Sequence, residues 1–374
     1  MLTSCHRILT GSIIISFFFT GCEQDAHPTE NLPINGNDTD SVVTYDYTLH
    51  TVAQSERLWT GVAVSDEGRI FVNYPHWWPE EHISVAELTS SGKVAYPNQI
   101  WNTPESELSP KWYFVCVQSV YIDSENYLWI LDPGDDPRRG IIDEAPKLIK
   151  VDLQSDKVIK RVYFDSTIAP PNSYLNDVRI DTERDYAYLT DSGLGAIITV
   201  DLTTKESRRL LADHSSTKAD DITLSIEDRP WVRSDGSSIK VHSDGLALDL
   251  TGEYLYYQAL TSRKLYRVPT EALCDTALST RELSYKVEFV KASGASDAIE
   301  FGPDGNLYLT AIEHNAIRCL TPDGEVETII QDKHLKWPDS FSITADGDIY
   351  VTTSQVHRGS NPTEPYGLFK LVPK

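Results

Sequence analysis

One hairpin pattern recurs six times along this 374-residue chain. The copies are "TGVAVSDEGRIFV" (60–72), "QSVYIDSENYLWI" (118–130), "NDVRIDTERDYAYL" (176–189), "DGLALDLTGEYLYY" (244–257), "DAIEFGPDGNLYL" (297–309) and "DSFSITADGDIYV" (339–351). Each reads as an alternating apolar strand, a polar turn and a returning strand ending in aromatic or branched residues. Repetition over tens of residues marks repeat architectures, and four-stranded units of about 40–50 residues are propeller blades. Further strand patterns follow the hairpins, such as "KLIKVDL" (147–153), "AIITVDL" (196–202), "KLYRVP" (264–269) and "AIRCL" (316–320). Helical periodicity is nearly absent, with "PTEALCD" (269–275) long enough for a turn or two. A β-sandwich also needs many short strands, but not one hairpin pattern six times. The expectation is an all-β, six-bladed β-propeller over residues 41–374. The last repeat has room for only three strands of its own. The strand pattern "SVVTYDYTLHTV" (41–52) is therefore expected to supply the outer strand of blade six and close the ring.

The first residues read differently. "MLTSCHRILTGSIIISFFFTGC" has a weakly basic start and an apolar run from Ile8 to Phe19, too short to span a bilayer comfortably. Residues 1–21 are read as a signal peptide. Thr20 and Gly21 before Cys22 resemble a bacterial lipoprotein cleavage box, which makes Cys22 the expected lipidation site. Glu23 favours the outer membrane by the sorting rule of such proteins, and secretion is the alternative without lipid. Residues 22–40 are polar, rich in Pro and Asn, and lack periodicity, as a flexible tether does. The body is expected to touch membrane only through that anchor and to be a monomer. The formal charge of −23 becomes −24 once residues 1–21, whose one charge is Arg7, are removed. So acidic a body repels phosphate backbones, and nucleic-acid binding is not expected. Of five cysteines, Cys116, Cys274 and Cys319 lie in the body, and sequence leaves open whether the last two pair.

Catalytic motifs are absent: no HExxH, no GxSxG, no phosphate-cradling GxxxxGK. "HWWPEEH" (76–82) is read as an aromatic loop over the propeller. The first residues of the six hairpins are more informative. In a propeller the first strand of each blade lines the central channel, so Thr60, Gln118, Asn176, Asp244, Asp297 and Asp339 are expected to converge on one mouth. Three carboxylates there either share a cation or hold protons. Oxygen ligands from Asn176, Asp244 and Asp339 suit one divalent cation, calcium above all, while an organic ammonium is the other guest. The alternative is that these acids cap strand ends locally. The acids at the far ends of the same strands, Asp66, Asp123, Asp181, Asp249, Asp304 and Asp346, are assigned to turn geometry.

Several segments resemble the major royal jelly/yellow family: "YLWILDPG" (127–134), "YAYLTDSGLGAIITVDL" (186–202), "YLYYQALTSRKLYRVPTEAL" (254–273), "HNAIRCL" (314–320) and "KWPDSFSITADGDIYV" (336–351). The resemblance implies a six-bladed propeller. It also implies a small-molecule site in the central channel, since the family includes proteins linked to dopachrome conversion and proteins that bind biogenic amines. A more distant likeness runs to the gluconolactonase/senescence-marker propellers, which hold a divalent metal with Glu, Asn and Asp. "NDV" at Asn176 and "SDGLALD" at Asp244 resemble two of those sites, and Thr60 stands where the Glu belongs. Three readings follow. One is proton transfer on a small aromatic or cyclic metabolite, with Asp244 and Asp297 as the catalytic acids. The others are a metal-dependent lactonase and a non-catalytic amine-binding protein.

Overall fold

The computed structural model describes residues 46–77, 83–103 and 108–374. Residues 1–45, including Cys22 and the start of the proposed closing strand, lie outside the described residues, as do positions 78–82 of the aromatic loop. Six four-stranded antiparallel sheets succeed one another. Their first strands are Val62–Val64, Ser119–Ile122, Leu175–Asp181, Ser243–Leu248, Ser296–Phe301 and Pro338–Ile343. Each packs against the next, and the last returns to the first. The fold is a six-bladed propeller, as the repeats indicate.

Closure works as expected. Tyr47–Ser55 pairs antiparallel with the C-terminal strand Tyr366–Pro373, from Tyr47 opposite Pro373 to Ser55 opposite Tyr366. Blade six thus contains both ends of the described body, and the two chain ends seal one another's sheet edges.

Core residues sit between blades, because each strand sends alternate side chains to opposite faces. Phe71, Val120 and Ile130 fill the space between blades one and two, and Trp129, Val178 and Leu189 that between two and three. Further apolar clusters join the remaining blades, and Val72, Ala86 and Leu368 close the seam from six to one. "PTEALCD" holds a short helix, Thr270–Cys274, and a second, Thr280–Ser284, follows behind a Ser279/Glu282 capping box. That second helix and a small hairpin in the crossover 211–242 were not foreseen. Cys116, Cys274 and Cys319 are free thiols, so the Cys274–Cys319 pairing does not form.

Four of the six turn acids, Asp123, Asp181, Asp249 and Asp304, behave as assigned. Asp123 accepts bonds from the Glu125 and Tyr127 amides and the Trp129 indole, and Asp249 from the Glu253 amide. Asp304 accepts from the Asn306 amide and the Tyr308 hydroxyl. These carboxylates hold their own hairpins.

Candidate functional site in the central channel

In blades three to six the ladder between the first two strands slips just where the mouth residues stand. The register breaks between Leu175 and Val178, Ser243 and Leu246, Ser296 and Ile299, and Pro338 and Phe341. Each bulge contains one mouth residue and its successor: Asn176–Asp177, Asp244–Gly245, Asp297–Ala298 and Asp339–Ser340. A bulge frees backbone groups and re-aims a side chain. Blades one and two, bearing Thr60 and Gln118, pair without a break.

The freed amides are recovered by threonines on the second strands. Thr190 Oγ1 accepts from the Asp177 amide (3.2 Å) and donates to the Asp244 carbonyl of the next blade (2.6 Å). Thr310 Oγ1 accepts from the Asp297 and Ala298 amides (3.0 and 2.9 Å). Thr352 Oγ1 accepts from the Ser340 amide and donates to the Thr60 carbonyl, stitching blade six to blade one. Asn73 has this role in blade one, accepting from the Gly61 amide and donating to Thr60 Oγ1 and the Val117 carbonyl. The backbones are tightly drawn together: a Cβ on Gly245 would lie 2.4 Å from the Asp297 carbonyl oxygen. Only glycine fits there.

The mouth has two unlike halves. On blades one to three the groups are neutral and mutually satisfied. Trp77 Nε1 donates to the Tyr174 hydroxyl (2.7 Å), which donates to Gln118 Oε1 (2.9 Å). Gln118 Nε2 donates to Asn176 Oδ1 (3.3 Å), and Asn176 Nδ2 to Ser192 Oγ (3.0 Å). Thr60 Oγ1 donates to the Gln118 carbonyl (3.0 Å). On blades four to six stand Asp244, Asp297 and Asp339. Asp297 Oδ2 accepts from the indole of Trp337 (2.5 Å), and Asp339 Oδ1 from the Ser340 hydroxyl (3.1 Å). Asp244 is 3% exposed, and its carboxyl has no hydrogen-bond or ion-pair partner among the described residues. It caps no strand.

Electrostatics follow from that crowding. Burial, then the negative fields of Asp339 and Asp177, hold the Asp244 carboxyl well above the ordinary range. Burial and the charges of Asp339 and Asp244 do the same to Asp297. Burial pushes Asp339 up to about 7. The three acids therefore lie within reach of one another's fields and are poised to hold protons near neutral pH.

Three residues further along each first strand lies a second tier: Ala63, Tyr121, Arg179, Ala247, Glu300 and Ser342. Here Arg179 reaches from blade three to blade five. Its guanidinium donates to the Ile299 carbonyl (3.0 Å) and pairs with Glu300 Oε2 (2.8 Å). It also pairs with Asp177 Oδ1 (3.0 Å) and lies over the Tyr121 ring of blade two (4.9 Å). Burial raises Glu300 to about 7 despite the Arg179 charge. Sequence reasoning missed Asp177, Arg179 and Glu300. Reading the same column of first strands three residues on would have shown the one Arg and the one Glu.

Above Asp297 the blade-six loop and the crossover 211–242 build a cover. Trp337, held at φ 54°, stacks parallel to His357 (5.7 Å) and edge-on to Trp231 (4.9 Å). His357 Nε2 meets Glu227 Oε2 at 2.8 Å. A bulky residue in the left-handed region is costly, and the indole bond to Asp297 is what the strain achieves.

Among the described residues no three His, Cys, Asp or Glu side chains gather closely enough to hold a metal ion. The Asn176 carbonyl oxygen already accepts from Gln118, and one Asp297 oxygen from Trp337. As placed, the donors form a hydrogen-bonding cradle and do not fit a metal shell.

The sequence model described as "Major royal jelly protein" matches residues 115–367. The chain belongs to the major royal jelly protein family. A relative, "Major royal jelly protein 6" of Apis mellifera, is 26% identical over 214 residues, covering 55% of this chain and 47% of that protein. The chain thus aligns with about half the length of this curated relative. Among solved structures, a calcium-binding regucalcin from Agrobacterium tumefaciens superposes with a TM-score of 0.55 at 14% identity, covering 88% of this chain and 95% of that one. A gluconolactonase from Xanthomonas campestris gives 0.54 at 13% identity, with 88% and 90% covered. At such identities the likeness is one of fold.

Proposed function

We propose that this royal-jelly-like propeller binds a small aromatic or cyclic metabolite at the channel mouth and moves a proton on it, a dopachrome-type tautomerisation. The observation that carries this reading is the Asp244 carboxyl, buried, without a partner, and facing other acids. Such a group is free to accept a hydrogen-bond donor or positive charge from a guest. Tautomerisation needs one carboxylate to take a proton from carbon and one carboxylic acid to give a proton to oxygen. With Asp339 near 7 and the Asp244 and Asp297 carboxyls held well above the ordinary range by burial and one another's charge, the mouth holds protons on some carboxyls while others are ionised near neutral pH. Asp244 and Asp297 have the acid role, and Gln118 and Asn176 orient the guest. The body is carried on a lipid at Cys22, facing the periplasm from the outer membrane.

A calcium-dependent lactonase is served less well. Thr60 offers no charge, and its hydroxyl is turned to the Gln118 carbonyl. The test is calorimetric titration of the full chain and Asp244→Asn with tyramine, with calcium and with a lactone, beside a dopachrome-decay assay. Wild-type binding of tyramine, weakened at least tenfold in Asp244→Asn, supports the mouth site. Dopachrome turnover separates the enzyme from a non-catalytic receptor. Calcium binding with lactone hydrolysis would replace the reading.

A further inference from the structure

The crossover 211–242 joins blade three to blade four, yet its contacts run on to blade six. Asp220 anchors it to blade four. The Asp220 amide donates to the Thr261 carbonyl (2.8 Å), and its carboxylate accepts from Ser262 Oγ (2.8 Å) and Lys264 Nζ (2.9 Å). The Ser225 amide then donates to Glu313 Oε1 of blade five (3.0 Å). At the far end Glu227 meets His357 and Arg358 of blade six. Leu224, Ile226 and Trp231 form an apolar underside packed on Leu260, Ile312 and Trp337, which come from blades four, five and six in turn. The crossover is thus a strap laid over the blades that carry Asp244, Asp297 and Asp339. Asp244 and Asp339 are 3% and 5% exposed, so a ring-sized guest meets them only after something moves.

Strain and uneven anchoring mark what moves. Ile226 and Arg229 face each other across a two-residue turn whose members, Glu227 and Asp228, stand at φ 49° and 61°. Such a turn suits Asn-Gly, and a Glu in it is held at a cost. Across the contact, Trp337 (φ 54°) and Gln355 (φ 45°) bear the same kind of strain. Left-handed residues other than glycine gathered round one contact are a feature of switch regions. The base of the strap has three bonds to blade four through Asp220, whereas the polar hold of its tip on blade six is one carboxylate. Glu227 Oε2 accepts from His357 Nε2 (2.8 Å) and from Arg358 Nη2. His357 in turn stacks on Trp337, whose indole reaches Asp297. His357 Nδ1 is buried without a partner, so the closed contact leaves one polar atom unsatisfied.

We propose that residues 211–242 are a strap that closes the acid half of the mouth, and that Glu227 is its latch. Breaking the Glu227 contact frees the tip, loosens His357 from Trp337 and admits a guest to the carboxyls beneath. The guest's part in this rests on the proposed mouth site; the motion of the strap does not.

The test is thiol labelling of Ser354→Cys in the full chain. Ser354 is fully buried and its amide donates to the Trp337 carbonyl (3.1 Å), so a thiol there lies under the cover. Labelling by N-ethylmaleimide is followed by mass spectrometry of the peptide that contains this position, which sets aside the native cysteines. Into this background go Glu227→Gln, Arg358→Gln, their combination, and Asp228→Asn, a change at the exposed neighbour in the same turn. Circular dichroism verifies that each variant is folded. The expected result is labelling accelerated at least fivefold by Glu227→Gln and by Arg358→Gln, no faster in the combination than in the faster single variant, and unchanged by Asp228→Asn. Hydrogen exchange of the strap peptide 222–232, with Ser354 intact, reads the same opening and should quicken in the same variants. Rates equal to the parent's, or acceleration by Asp228→Asn as large as by Glu227→Gln, overturn the latch. So does a combination whose effect is the product of the two, since that marks independent contacts. Stopped-flow association of tyramine is the second arm, and it should be faster in Glu227→Gln. Tyramine entering at the wild-type rate in a variant that labels faster overturns the strap as the way in. Faster labelling with no tyramine binding in any variant leaves the strap standing and removes the mouth reading.

Discussion

Asp339→Asn should make the protein more stable at pH 8 and leave its stability unchanged at pH 4. Asp339 is 5% exposed, and its folded pKa of about 7 stands above the ordinary 3.8 because burial disfavours the charge. Between those values the folded protein keeps a proton that the unfolded chain has released. Stability therefore falls as pH rises from about 4 to about 7 and levels off above. At 1.36 kcal/mol per pH unit the accumulated cost is about 4 kcal/mol at pH 8. Asparagine has no charge to bury, and its carbonyl oxygen still accepts from Ser340 Oγ, so the variant escapes the cost. With an unfolding entropy of about 2.1 cal/mol/K per residue over about 330 residues, the midpoint should rise by about 6 °C. Thermal unfolding followed by circular dichroism, in buffer free of added divalent cations and amines, reads this directly. A variant less stable than wild type at pH 8, or an equal difference at both pH values, refutes the account: Asp339 would then be paired rather than strained.

Thr352→Val removes the hydroxyl that joins the Ser340 amide to the Thr60 carbonyl, and should cost about 1–3 kcal/mol in urea unfolding. Lys147→Met strips the buried Asp132 of its cation, both side chains being fully buried at 2.8 Å, and should cost about 3–5 kcal/mol by the same measurement. Deleting residues 47–52 removes most of the strand paired with Tyr366–Pro373, and should lower the melting temperature markedly or abolish folding; a melt like the parent's would show that closure does not need it. Cys22→Ser should release the protein from the membrane fraction, read by immunoblot after ultracentrifugation.

The fold was legible because a propeller repeats its grammar. Alternation and turn signals appear six times, and the missing fourth strand of the last repeat pointed to the N-terminus. The mouth was legible for the same reason: equivalent positions in equivalent strands must converge. What sequence reading did not reach was the bulge. A slip of register is invisible to a period-two pattern unless the compensating residue is noticed, and here it recurs as Thr190, Thr310 and Thr352 in "YLT", "YLT" and "YVT". The tier below was missed because Arg179 and Glu300 each look like an ordinary polar residue on an alternating strand. Only the ring makes them partners, 121 residues apart in sequence. The cover above Asp297 had no signal at all, since Trp231, His357 and Glu227 meet through irregular loops.

The propeller itself does not require acids at its axis. Blades one and two close their part of the ring with Thr60 and Gln118, neutral residues whose polar atoms are satisfied by neighbours. Blades four to six present three carboxyls with raised pKa, one of them without any partner. Buried carboxyls of this kind subtract from stability, by about 4 kcal/mol in the case of Asp339 alone at pH 8. Blades three to six add bulges, which sacrifice ladder bonds that threonines then recover in blades three, five and six. Neither feature helps the sheets pack. Both leave acidic side chains within one another's fields on one side of the channel, and perturbed carboxyls at a mouth are a mark of a site that binds or moves charge. Restoring that lost stability is what a guest with a hydrogen-bond donor would do: at a hundredfold excess over its dissociation constant it would return about 2.7 kcal/mol. If the proposed guest binds there, the relief of the buried carboxyls is one source its affinity would draw on.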